Sequence, residues 1–132
     1  MKALITGVFL VLHGLVHLLY FGQSWRLFEL RPKMVWPDGA WASSRLWGDE
    51  TTRLLASIAC VLAAIGFVAG GIGLFARQTW WHPVVVSAAV FSAVIFVLFW
   101  NGKLENLADQ GAVAILINVA ILVAVLILRW PD

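Results

Sequence analysis

Apolar positions along the chain gather into four long runs, 3–24, 54–76, 83–100 and 111–128, with polar residues concentrated between them. Within each run the apolar residues fall on every face of a helix, the pattern of a segment surrounded by apolar material on all sides. A helix needs about 20 residues to cross the hydrocarbon core of a bilayer, and all four runs meet or approach that length. The reading is an all-α, polytopic membrane protein: a four-transmembrane-helix bundle in one domain, 1–132, with spans at about 3–25, 52–76, 83–101 and 111–129. The first run exceeds the 7 to 15 residues of a signal h-region. It ends in Tyr20-Phe21-Gly22-Gln23-Ser24-Trp25 rather than a small-x-small cleavage site, so it is expected to stay as the first span.

The punctuation agrees with this division. Pro83 stands where a helix begins and its missing N–H does no harm, and Pro131 follows the last run. All eight tryptophans lie at run ends or in connections, as an aromatic belt requires. The longest connection, 26–53, contains Trp36-Pro37-Asp38-Gly39-Ala40-Trp41, in which Pro presets φ and Gly accepts a positive one. Trp36 and Trp41 are expected to hold this turn against the headgroups. With Asp38, Asp49 and Glu50 they would form a Trp-rich interfacial cap on the long-loop side, the two adjacent acids opening the second helix and suiting its dipole. Small residues recur every four positions at Ala56, Cys60 and Ala64, at Gly66 and Gly70, and at Ala88 and Ser92. That spacing lets helices approach closely in lipid and predicts packing seams, within one chain or between copies.

Composition removes the soluble alternative. The chain is 62% hydrophobic and 12% charged with a mean hydropathy of +0.93, too little polar surface to coat a globule of 132 residues. The expected partner is therefore the lipid bilayer, and the expected location the bacterial cytoplasmic membrane. A net charge of +2 from scattered Lys and Arg forms no basic stripe, which excludes nucleic acid. The Lys/Arg count alone would place the long connection in the cytoplasm. Net charge opposes it, because Glu29, Asp38, Asp49, Glu50, Glu105 and Asp109 cancel the positives on that face; the adopted orientation has both termini cytoplasmic. A single cysteine, Cys60, excludes an intramolecular disulfide and any CxxC redox pair.

Against this apolar background the stretch His13-Gly14-Leu15-Val16-His17 stands out, because ionisable side chains inside a span are costly and mark function by default. Spacing of four places both imidazoles on one stripe with Tyr20 and Ser24. At a rise of about 1.5 Å per residue, Asn118 comes level with His17, Ser92 lies near the midplane, and Ser57 and Cys60 fall in the same half. His13, His17, Tyr20, Ser24, Ser57, Cys60, Ser92 and Asn118 are the candidate ligand-binding residues. A catalytic zinc needs a third protein ligand, a bis-His haem needs ligands from opposed faces, and no serine sits in a nucleophile turn. No metal, cofactor or catalytic residue is therefore assigned, and enzymatic activity is not favoured. The plainer role for the pair is hydrogen bonding across helices, to Asn118, Ser92 or a backbone carbonyl, holding the bundle in register.

The His-Gly-Leu-Val-His-Leu-Leu first helix, Trp80-Trp81 before the third run, the Trp100-Asn101-Gly102 exit and the Asn118-bearing last helix resemble small bacterial four-span membrane proteins. That resemblance implies a fold without an activity. In size and span count the chain is also similar to the DoxX family of quinone-linked membrane subunits, in architecture alone, and no residue carries over from it. The leading functional expectation is a binding or accessory subunit whose half-membrane polar pocket opens toward the cap and takes a lipid-like or quinone-like small molecule. The alternative is a homo-oligomeric proton-coupled transporter or channel that uses the His13/His17 stripe.

Overall fold

The computed structural model describes all residues, 1–132, and contains helices without strands. Helix α1 is Lys2–Ser24, α2 is Ser43–Phe75, α3 is Trp81–Leu98 and α4 is Ala112–Leu122, the last continued by a π-helical turn, Val123–Ile127. A 3-10 turn, Leu107–Gln110, leads into α4. Three helices, α1, α2 and α3, are long and apolar enough to cross a membrane. The fourth run yields a shorter element than 111–129. Left-handed Gly111 caps its start at Ala112, and the helical run stops at Ile127, before Arg129 in the same left-handed conformation. Its 11 α-helical and 5 π-helical residues span about 24 Å against a hydrocarbon core of about 30 Å.

Helix α2 begins earlier than the expected 52. Residues 43–47 are helical, Gly48 breaks the turn with φ 81° and ψ 170°, and the helix resumes at Asp49. Only glycine takes that conformation at little steric cost. Thr52 ties the two pieces together: its hydroxyl donates to the Gly48 carbonyl (2.8 Å) and accepts from Ser43 Oγ (2.7 Å). Asp49 and Glu50 thus do open the long apolar piece of α2.

The helices pack in chain order, α1 on α2, α2 on α3 and α3 on α4. Backbones approach where glycine allows it. A Cβ on Gly71 would stand 2.9 Å from the Gly7 carbonyl oxygen, and one on Gly14 would stand 2.8 Å from Phe67 Cβ. A Cβ on Gly66 would likewise meet Ala88 Cβ at 2.9 Å. The small residues predicted to form seams do so inside one chain: Ala56, Cys60 and Ala64 are buried in α2. Two apolar cores result. One, beneath the long connection, gathers Trp36, Cys60, Phe96 and Phe99; the other, toward the termini, gathers Leu10, Phe67, Val85 and Ile121.

Candidate functional site

The two cores meet at a ring of polar side chains. Helix α1 supplies His13 and His17, one turn apart on its inward face; α3 supplies Ser92 and α4 supplies Asn118. All four are buried, Ser92 and Asn118 completely. The acceptors fix the direction of each bond. His17 Nδ1–H donates to the His13 carbonyl (3.0 Å), which leaves Nε2 of the neutral imidazole as an acceptor for the Ser92 hydroxyl (2.6 Å). Asn118 Nδ2–H donates to Ser92 Oγ (2.8 Å), and Asn118 Oδ1 accepts from His13 Nε2–H (2.9 Å). The bonds run from α1 through α4 and α3 back to α1, so three helices are tied at one depth without a charge. Phe67 walls the ring from α2, its centroid 4.7 Å from that of His13 and 5.3 Å from that of His17.

The other candidates divide into separate places. Ser57 Oγ–H donates either to Ser24 Oγ (3.0 Å) or to the Arg53 carbonyl (2.7 Å), an acceptor that Ser24 also reaches at 2.7 Å, so this pair joins α1 to α2 away from the histidines. Cys60 lies in the apolar core under the cap, and Tyr20 points its hydroxyl toward the Ala108 carbonyl at 3.4 Å. The polar pocket expected to open from His17 toward the cap is not present as open space. Trp36 fills that half of the bundle, fully buried, with ring centroids 5.2 Å from Tyr20, 5.6 Å from Phe96 and 6.4 Å from Phe99. The expectation that Trp36 anchors in headgroups is corrected accordingly: the connection is tethered closely enough that the indole is drawn inward, where its large apolar area is better placed. Trp41 does remain half-exposed, its indole N–H donating to the Val97 carbonyl (2.8 Å).

The tether has two parts. Gln23, fully buried at the end of α1, donates from Nε2 to the Met34 carbonyl (3.0 Å) and accepts from the Leu30 amide (2.9 Å), fixing the connection over the helix end. Asp38 is held between Arg26 (2.9 Å) and Arg53 (2.7 Å), while Arg26 also donates to the Val35 and Trp36 carbonyls. Arg31 pairs with Asp109 at 2.9 Å and joins the connection to the turn before α4. Asp49 reaches back from α2 to accept the Gly39 amide (2.9 Å), whereas Glu50 faces a separate surface cleft with Ser24, Arg26 and Arg53. The cap is therefore ordered by ion pairs and by Gln23. Sequence reasoning missed Gln23, although a lone amide in the last turn of an apolar helix, next to a long connection, was the available signal.

The arrangement is a helical bundle with a neutral, internally satisfied polar ring and a plugged end. No protein-family model, curated protein or solved structure matches this chain.

Proposed function

We propose that the chain is a small integral membrane protein of the bacterial cytoplasmic membrane, its four helices crossing the bilayer with both termini cytoplasmic, and that it acts as a binding or accessory subunit for a lipid-like molecule. One observation carries the membrane reading: in the apolar windows of α1, α2 and α3, 28%, 50% and 39% of residues are buried, so half or more of the residues in each window keep surface exposed outward. Soluble monomers seldom expose contiguous apolar patches beyond a few hundred Å²; lipid is the solvent that suits them. The short fourth helix is accommodated by local thinning of the bilayer, at a modest cost per ångström of mismatch.

In this reading the histidine ring is a register lock rather than a ligand pocket. Each of its four side chains is hydrogen-bonded within the ring, and none of them lines the principal clefts. The geometry also favours binding over proton-coupled transport. Asn118 stands between His13 and Ser92, and a neutral amide does not relay protons as an imidazole or hydroxyl does. The likeness of the first helix to small bacterial four-span proteins accords with the same architecture. Alkaline carbonate extraction of membranes tests the reading. The chain is expected to stay in the pellet, and its release into the supernatant would refute membrane integration.

A further inference from the structure

Three of the seams around the bundle are closed by helix packing, but α1 and α4 make little or no close backbone contact. Two side-chain bridges cross the gap between them. His13 reaches Asn118 at mid-depth, and near the termini Trp130 Nε1–H donates to Thr6 Oγ1 at 2.8 Å. Between the bridges lies a cleft of about 270 Å³, walled by Phe9 and Leu10 on α1 and by Ala120, Ile121 and Ala124 on the other side. Ala124 belongs to the π-helical turn, and single π turns inside helices are frequent at functional sites.

We infer that this cleft holds one acyl chain of an anionic phospholipid from the leaflet on the terminal side, with Lys2 meeting its phosphate. The inference rests on the membrane reading above. The lining is apolar apart from Thr6, whose hydroxyl is already engaged by Trp130, so water there would lack the two to four polar partners it needs. The volume lies just below the range of drug-sized pockets and takes part of a single chain, the remainder lying along the surface of the bundle; a neighbouring helix, about 10 Å across, does not fit. At the mouth the Lys2 ammonium sits 4.9 Å from the centroid of Trp130. Lys2 has no ion-pair partner; Lys33, Arg45 and Lys103 on the capped face are likewise unpaired, so what singles out Lys2 is its place at the mouth of this cleft. On the terminal face Lys2, Arg77 and Arg129 outnumber the single acid, Asp132. One cation near the surface corresponds to a preference of about fivefold for an anionic over a zwitterionic head.

Native mass spectrometry of protein equilibrated with equal amounts of phosphatidylglycerol and phosphatidylcholine of matched chains tests this. One retained phospholipid per chain is expected, with phosphatidylglycerol favoured about fivefold. Ala120→Trp and Ala124→Phe should each lower retention at least tenfold by filling the cleft, while Val94→Trp, on an exposed position of α3, should leave it unchanged. Ala120 is exposed and Ala124 half-buried, so enlargement does not enter the core. Lys2→Ala, remote from the packed interior, should lower the headgroup preference severalfold and keeps the test decisive if a filled variant misfolds. Wild-type protein without retained lipid, equal retention by Ala124→Phe, or no headgroup preference would overturn the inference. Carbonate extraction run on the same membranes separates the two failures: protein that pellets but retains no lipid refutes the cleft alone, and protein released by alkali refutes the membrane reading beneath it.

Discussion

Replacing Asn118 interrogates the ring most directly, because its amide makes two of the ring's four bonds, at 2.9 Å and 2.8 Å. Two substitutions separate hydrogen bonding from packing. Asn118→Ala removes both bonds and leaves a void, whereas Asn118→Leu removes both bonds at similar volume. Interhelical hydrogen bonds in membrane proteins average about 0.6 kcal/mol and reach about 1.7 kcal/mol; a buried donor left unmatched costs about 1–3 kcal/mol. Ser92 keeps a use for its proton at His17 after either change, so the larger cost falls on the stranded His13 N–H. Asn118→Leu should therefore lose about 2 kcal/mol, roughly thirtyfold in the folding constant, where 1.4 kcal/mol is tenfold, and Asn118→Ala more, because its void adds a cavity cost. Reversible unfolding by SDS in mixed micelles, followed by far-ultraviolet circular dichroism, measures it. A cycle with His13→Ala should give a coupling of about 1 kcal/mol, above the 0.3–0.5 kcal/mol at which independent sites add. Coupling inside that additive range, or wild-type stability for Asn118→Leu, would refute the lock and leave Asn118 as a space-filling residue.

Trp36→Ala should cost about 3–5 kcal/mol, since a fully buried aromatic is lost from the core; a shift in melting temperature no larger than that of an exposed control such as Trp47→Ala would show that the indole does not plug the bundle. Asp38→Ala releases Arg26 and Arg53, both partly solvated, so global stability should fall by only about 1 kcal/mol. Trypsin should nevertheless cut at Arg26, Arg31 or Lys33 several times faster than in the parent, and an unchanged cutting rate would mean that the clasp does not order the connection. Gly71→Ala should destabilise by about 1–3 kcal/mol, because the new Cβ would meet the Gly7 carbonyl oxygen at 2.9 Å; a neutral result in the same SDS titration would show that α1 and α2 have slack at that crossing.

What the sequence made legible follows from which forces act locally. Helix number and the apolar runs depend on composition over about 20 residues, and these the structure bears out as four helices, three of them long enough to span. The grouping of His13, His17, Ser92 and Asn118 was within reach too, because depth along antiparallel helices is a matter of rise per residue, and buried polar groups at matching depth have few partners other than each other. Depth says nothing about azimuth, however. Ser24 and Ser57 lie in the expected half, yet they turn toward each other and the Arg53 carbonyl rather than toward His17. Trp36 was the larger miss, and its cause is general: tryptophan at a run end is equally suited to an interface or to a core, and only the path of the connection decides. That path is set by Gln23 and Asp38, whose partners are 11 to 15 residues away in sequence and invisible to periodicity. The same reasoning explains why the α1/α4 seam could not be read beforehand. Part of its wall, Ala124 and Val125, lies in a π turn, a departure of backbone geometry within a run of Val, Ala and Leu that looks uniformly helical. The stripe from His13 to Ser24 points toward the cap, but the cleft between α1 and the end of α4 opens on the other side of His13, toward Thr6 and Trp130. The polar ring ties α1 to α4 at mid-depth, but none of its four side chains lines that cleft, so the lock and the cleft are separate features that separate substitutions can test.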